Sequence, residues 1–199
     1  MPALTGQKGV DAMRAVDISG TGAGPWVMGA DNEPERATFG AFLYGLAPAS
    51  ATITDLFLMQ GAAGKVIRVK SIILSGSASS AVNVPVILYK RTANQTGGTP
   101  TAVTRTPKDS TDGAANMVLS HFGTGTVPTP GAGTMVDGGR LNLAPAANGS
   151  IDRLVFQYSW QNDKAVVLRG ASEWLAVNFN GVSTPGGVGI DFSCTWTEE

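Results

Sequence analysis

The chain has 199 residues, 14 Lys and Arg against 15 Asp and Glu, a net charge of −1 and only 15% charged residues. So weak a field gives no long-range attraction to nucleic acid or to an anionic membrane surface. A single cysteine excludes an intramolecular disulfide framework, the 26 Gly and 11 Pro favour short elements joined by turns, and no stretch approaches the roughly 18 apolar residues of a membrane-spanning helix.

The N-terminal stretch MPALTGQKGVDAMRAVDISG lacks the apolar block of a signal peptide, so synthesis in a cytoplasm is expected. Residues 1–50 hold Gly or Pro every few positions with no sustained period, yet carry Trp26, Phe39, Phe42 and Tyr44. A disordered tail would be poorer in aromatics. The segment therefore reads as an extended arm, partly β, whose aromatics anchor it on a neighbouring surface; the alternative is that it packs on its own domain.

Strand patterns then recur along residues 51–199. TITDLFLM (52–59), KVIRVKSIILSG (65–76) and VNVPVILYKR (82–91) follow one another and could pair in that order. Pro85 has no N–H to give to a ladder, which predicts an edge position or a bulge. Next come NMVLSHF (116–122) and TMVDGGRLNL (134–143), with a turn expected at Asp137, Gly138 and Gly139. DRLVFQYSW (152–160) puts Leu154, Phe156, Tyr158 and Trp160 on one parity, and KAVVLRG (164–170) precedes the last two runs. In those, Leu175, Val177 and Phe179 alternate with polar residues, as do Val188, Ile190, Phe192, Cys194 and Trp196, and the Gly/Pro-rich segment between them predicts an antiparallel hairpin. Eight or nine strands and no helical window define an all-β antiparallel sandwich, jelly-roll-like, behind an extended N-terminal arm. Apolar residues on both parities of residues 65–76 leave Ile72 and Leu74 as surplus to one inner face, to be covered by another copy in a dimer or trimer.

The residues that carry chemistry are sparse. His121 and Cys194 lie far apart in sequence, too few for an intrinsic zinc site, and Cys194 falls on the apolar parity of its strand, where a thiol acts as a small hydrophobe. Asp109 and Asp112 sit in a polar loop without the spacing of a calcium loop. Nothing places Asp163 and Glu173 at a glycosidase separation. The glycine patterns GTGAG and GTGTVPTPGAG lack the strand, helix and Lys-Ser/Thr of a phosphate loop. No catalytic residue, metal ligand or cofactor site is therefore assigned. Lys65, Arg68 and Lys70 are too short a basic stripe for nucleic acid and suit a polar face or ion pairs. Arg169, four residues before Glu173, is placed to fork that carboxylate and pin the final hairpin. Trp174, opposite in parity to Leu175, reads as an outward contact aromatic.

The series GKVIRVKSIILSG, VILYKRTANQTGGTPTAVTRTPKDS, VLRGASEWLAVNFNG and CTWTEE resembles a group of small tailed-bacteriophage and prophage structural proteins with a C-terminal jelly roll, over about Thr52 to Glu199. The resemblance implies a component of the virion without catalytic activity, built in as a symmetric oligomer. Within that class, an arm ahead of a β-domain suits a capsid decoration protein that contacts the major capsid protein or another virion protein. Neither repeats nor heptads of a fibre are present. The alternative is a tail- or fibre-associated carbohydrate- or receptor-binding module, with Trp160, Trp174 or Trp196 stacking on sugar rings.

Overall fold

The computed structural model describes residues 36–48, 52–123, 126, 128–145, 147, 152–158, 164–183 and 187–199. The strands are Ala37–Leu46 (β1), Thr52–Gln60 (β2), Val66–Ser77 (β3), Val82–Arg91 (β4), Thr101–Ala102 (β5), Arg105–Pro107 (β6), Val118–His121 (β7), Gly133–Leu143 (β8), Arg153–Gln157 (β9), Val166–Arg169 (β10), Trp174–Ser183 (β11) and Gly189–Glu198 (β12). They form two antiparallel sheets. The first runs β10-β3-β12-β1-β6, with β9 also paired to β3, and the second runs β5-β7-β2-β11-β4-β8. The protein is an all-β sandwich, and most consecutive strands lie in opposite sheets, as in a jelly roll.

That crossing corrects two expectations about pairing. Strands β2, β3 and β4 do not pair with one another: β2 joins β11 and β7, β3 joins β12, β9 and β10, and β4 joins β11 and β8. Nor do β11 and β12 form a hairpin, since β11 lies in the second sheet and β12 in the first. Each inner face follows the parity read from the sequence. The connection between two strands must then carry the chain over the end of the sandwich if both inner faces are to meet. Leu175, Val177 and Phe179 face the core from one side, and Val188, Ile190, Phe192, Cys194 and Trp196 from the other.

Residues 37–46 correct the boundary of the arm. They are not free: β1 pairs with β12 from Ala37 to Leu46 and with β6 from Phe39 to Ala41. Phe39 is a core residue, with its ring stacked 5.8 Å from that of Trp196. The compact body of the chain begins at Arg36, not near Ser50. Trp26 lies outside the described residues. Ile72 and Leu74 are fully buried in the chain's own core, so they are not the surplus residues. Ile73 points the other way, to the outer face of the first sheet.

Two further details follow from local chemistry. Pro85 lies in the part of β4 that pairs with β8 alone, because the β11 pairing covers only Ile87 to Arg91, and such one-sided stretches tolerate a residue without an N–H. The expected turn at Asp137 to Gly139 is absent: β8 continues through it, with a register shift against β4 at Val136, next to Asp137. A Cβ on Gly139 would meet Leu154 Cδ1 at 2.7 Å, so that glycine admits β9 rather than reversing the chain.

The core closes on β12, which is paired along both edges, to β1 and to β3. Phe192 stacks on Phe57 of the opposite sheet with ring centroids 4.1 Å apart. At its end the Trp196 indole N–H donates to Glu198 Oε1 at 3.0 Å, and the Glu198 carboxylate also accepts the Asn116 and Met117 amides and the Asn116 side-chain amide. Burial raises the Glu198 pKa, but the hydrogen bonds from Met117, Trp196 and Asn116 outweigh it and hold the group below its ordinary 4.5. A depressed carboxylate contributes stability in full above its unfolded value, and the contribution disappears as pH falls through the folded one.

Deleting residues 194–199 removes Trp196 and the end of a strand paired on both edges. Loss of that indole alone costs about 3–5 kcal/mol, against a total stability of about 5–15 kcal/mol. We expect an insoluble product or one without a cooperative thermal transition; a soluble product with an unchanged midpoint would make the strand peripheral. Glu198→Gln should lower stability at neutral pH by about 1.5–3 kcal/mol. The gap to wild type should narrow in urea unfolding curves taken below pH 4.5.

Candidate interaction face

The outer faces of the two sheets differ. On the second sheet, Leu58 of β2, Trp174 and Ala176 of β11 and Tyr89 of β4 are neighbours by register and gather with Phe122 into a small cluster. Segments 92–100 and 128–132 close over this side: Thr96 and Thr129 bridge, the Thr54 hydroxyl donates to the Pro128 carbonyl, and the Thr92 amide donates to the Ala132 carbonyl. Gly98, at φ +76°, lies so close to Pro128 and Phe122 that a Cβ would meet Pro128 at 3.0 Å. Trp174 is thus only 8% exposed and is not a contact aromatic. The side chain lies on the outer face that its parity predicts, but long-range loop packing covers it.

Beside this cluster, Arg91 Nη2 donates to Asp55 Oδ1 at 2.7 Å, Asn178 Nδ2 donates to the same oxygen at 2.6 Å, and Arg91 Nη1 donates to the Gly131 carbonyl. Arg91 also lies 4.8 Å from the centre of the Tyr89 ring. Asp55 and Arg91 are buried, at 1% and 4% exposure, and Asp55 Oδ2 and Arg91 Nε have no hydrogen-bond partner among the described residues. This pair latches segment 128–132 to the sheet. Asp55→Ala leaves an unpaired buried guanidinium and should cost about 3–5 kcal/mol in chemical unfolding. Asp55→Leu combined with Arg91→Met should cost less than either change alone, which a double-mutant cycle reads directly.

The first sheet's outer face has no such cover among the described residues. Register places its side chains in rows across the strands. One row is Val155, Ile73, Ser193 and Phe42; the next is Gln157, Ser71, Thr195, Gly40 and Thr106; a third joins Arg153, Ser75 and Asp191. Tyr44 extends this third row, because the Gly45 amide beside it donates to Asp191 Oδ1 at 2.8 Å. The middle of the face is small and hydroxylated, with Ser71 and Thr195 hydrogen-bonded at 2.7 Å. The margins are large: Phe42 and Tyr44 are 62% and 75% exposed, with ring centroids 5.5 Å apart, and Val155 is exposed at the far side. Covering a side chain of this size is worth about 1.5–3 kcal/mol, so this exposure is what a partner would use. Beside Phe42 lies a groove of about 250 Å³ lined by Gly40, Thr106, Lys108, Ser193 and Thr195. Gly40 keeps it open, since a Cβ there would meet the Lys108 side chain at 3.1 Å.

Of the residues singled out from the sequence, this face brings together Phe42 and Tyr44 only. Arg169 is exposed and forms no fork: its backbone amide, not its guanidinium, donates to Glu173 Oε2 at 2.7 Å, and Lys90 Nζ takes the same oxygen at 3.0 Å. Trp196 is fully buried, and Trp160 and Asp163 lie outside the described residues. Burial pushes the Cys194 thiol up to about 12, and partial burial lowers the His121 pKa. The Asp109 carboxylate accepts the Thr111 amide and hydroxyl, which lower its pKa and organise its own loop. Among the described residues no three His, Cys, Asp or Glu side chains gather as metal ligands, and no helix is long and apolar enough to cross a membrane. Val155, Ile73 and Gly40 were missed because a one-strand pattern says nothing about which outer rows line up. No family model, curated protein or solved structure matches the chain.

Proposed function

We propose that the protein is a non-enzymatic structural component of a tailed-phage virion, a capsid decoration protein that self-associates and attaches to the major capsid protein or another virion protein, assembled in the host cytoplasm. Fold alone does not assign function. The observation that carries the reading is the open outer face of the first sheet, where two mostly exposed aromatics stand beside a nearly uncharged hydroxylated strip. Aromatic anchors among small polar residues are the composition of a protein-contact surface. The resemblance of residues 52–199 to phage structural proteins supplies the setting. A carbohydrate- or receptor-binding module of a tail or fibre is the second reading, supported by the groove beside Phe42; Trp174 and Trp196 no longer serve it because both are buried.

In this reading residues 1–35, with Trp26, reach the particle. The test mixes full-length protein, a chain starting at Arg36 and the Trp26→Ala variant with particles lacking the protein, and measures co-sedimentation. The shortened chain should fold with an unchanged thermal midpoint and fail to bind, and Trp26→Ala should bind more weakly. Equal binding by the shortened chain would transfer attachment to the sandwich. Absence of binding by the full-length chain would refute the decoration role.

A further inference from the structure

We propose that the outer face of the first sheet is a two-fold interface between copies of this chain, with the axis parallel to the strands and between β3 and β12. The inference rests on the self-association in the reading above and names the surface. Edge-to-edge pairing is poorly supported. The β8 edge is blunted by the Asn142 amide donating to Asp152 Oδ2 and the Gly138 amide donating to Asp137 Oδ1, each at 2.8 Å. The β1 edge is interrupted by a bulge at Gly45, φ +62°, just past Tyr44.

The face itself is self-complementary. A two-fold axis parallel to the strands keeps each row opposite its own copy and exchanges the two margins. Phe42 then meets Val155 of the second copy, Tyr44 meets Arg153, and Gln157 lies over Gly40, beside the Lys108 side chain. Each pairing is chemically matched: ring on aliphatic, ring on cation, and an amide carbonyl that can accept from the Lys108 ammonium. The small central residues Ser71, Ser193 and Thr195 let the two sheets approach. Under that axis the four strands β9, β3, β12 and β1 face their copies; they span roughly 14 Å and β12 roughly 33 Å, about 480 Å² of face, a small interface that places the dimer among the weaker self-associations.

The test uses the full-length chain. Phe42→Cys and Val155→Cys variants are treated with a short bismaleimide, separately and mixed; buried Cys194, its thiol held up at about 12, contributes no background. The mixture should give at least about tenfold more cross-linked dimer than either variant alone. Wild type should sediment as a dimer at tens of micromolar. Phe42→Glu and Val155→Glu should each raise the dissociation constant at least about tenfold and, at dilutions where wild type too is monomeric, leave the thermal midpoint unchanged, since both side chains are exposed on the monomer. A monomer at all concentrations, a trimer, Phe42→Cys cross-linking to itself as well as to Val155→Cys, or a dimer indifferent to both Glu variants would each overturn the proposal. So would a monomeric Phe42→Cys variant whose introduced thiol resists a small maleimide, which would give the face to residues 1–35 of the same chain. Particle co-sedimentation is read separately: wild type that dimerises through this face without binding particles refutes the decoration role and leaves the interface standing.

Discussion

The carboxylate of Glu198 gathers the Trp196 indole and the amides of Asn116 and Met117 into one buried node at the end of β12. Its consequences extend through the sandwich because β12 is paired on both sides, and its inward residues Phe192 and Trp196 stack on Phe57 and Phe39. A buried carboxylate is costly without donors and stable with four of them. The node therefore fixes at once the path of the segment before β7, the packing of β1 and the register of the last strand. Segment 37–46 belongs to the fold for the same reason: Phe39 supplies one wall of the pocket that Trp196 fills.

What was legible in the sequence is what alternation encodes. The inward sides of β11 and β12, the burial of Cys194 and the all-β class follow from a period of two within single strands. What alternation cannot encode is which strand lies beside which. β2, β3 and β4 read as neighbours because they are consecutive, whereas their inner faces meet only by crossing between sheets. Trp174 was placed on the correct face, yet its cover comes from Phe122 and from segments far along the chain. Asp137-Gly138-Gly139 has turn composition, but β8 continues through it, and a Cβ on Gly139 would crowd the end of the Leu154 side chain. The Arg169–Glu173 fork that the spacing predicts does not form: the Arg169 backbone amide and Lys90 take the Glu173 carboxylate, and Lys90 arrives from a strand that local spacing does not reveal.

The candidate face emerges from the asymmetry between the two sheets. The second sheet uses its long connections to cover its own outer side, latched by the buried Asp55–Arg91 pair. Among the described residues the first presents only its own side-chain rows, with small hydroxyls in the middle and Phe42, Tyr44 and Val155 at the margins. Among the described residues one outer face of the sandwich is thereby covered internally and the other is not, and it is on this second face that the proposed association rests.

The central claim is that β12 and its terminal node hold the whole sandwich, and native-state amide hydrogen exchange tests it directly. If the claim is right, the β12 amides and those of Asn116 and Met117 exchange only through global unfolding, with one common opening free energy equal to that from denaturant. Exchange of Asn116, Met117 or the β12 amides through an opening well below the global value, while β11 and β4 remain protected, would contradict it.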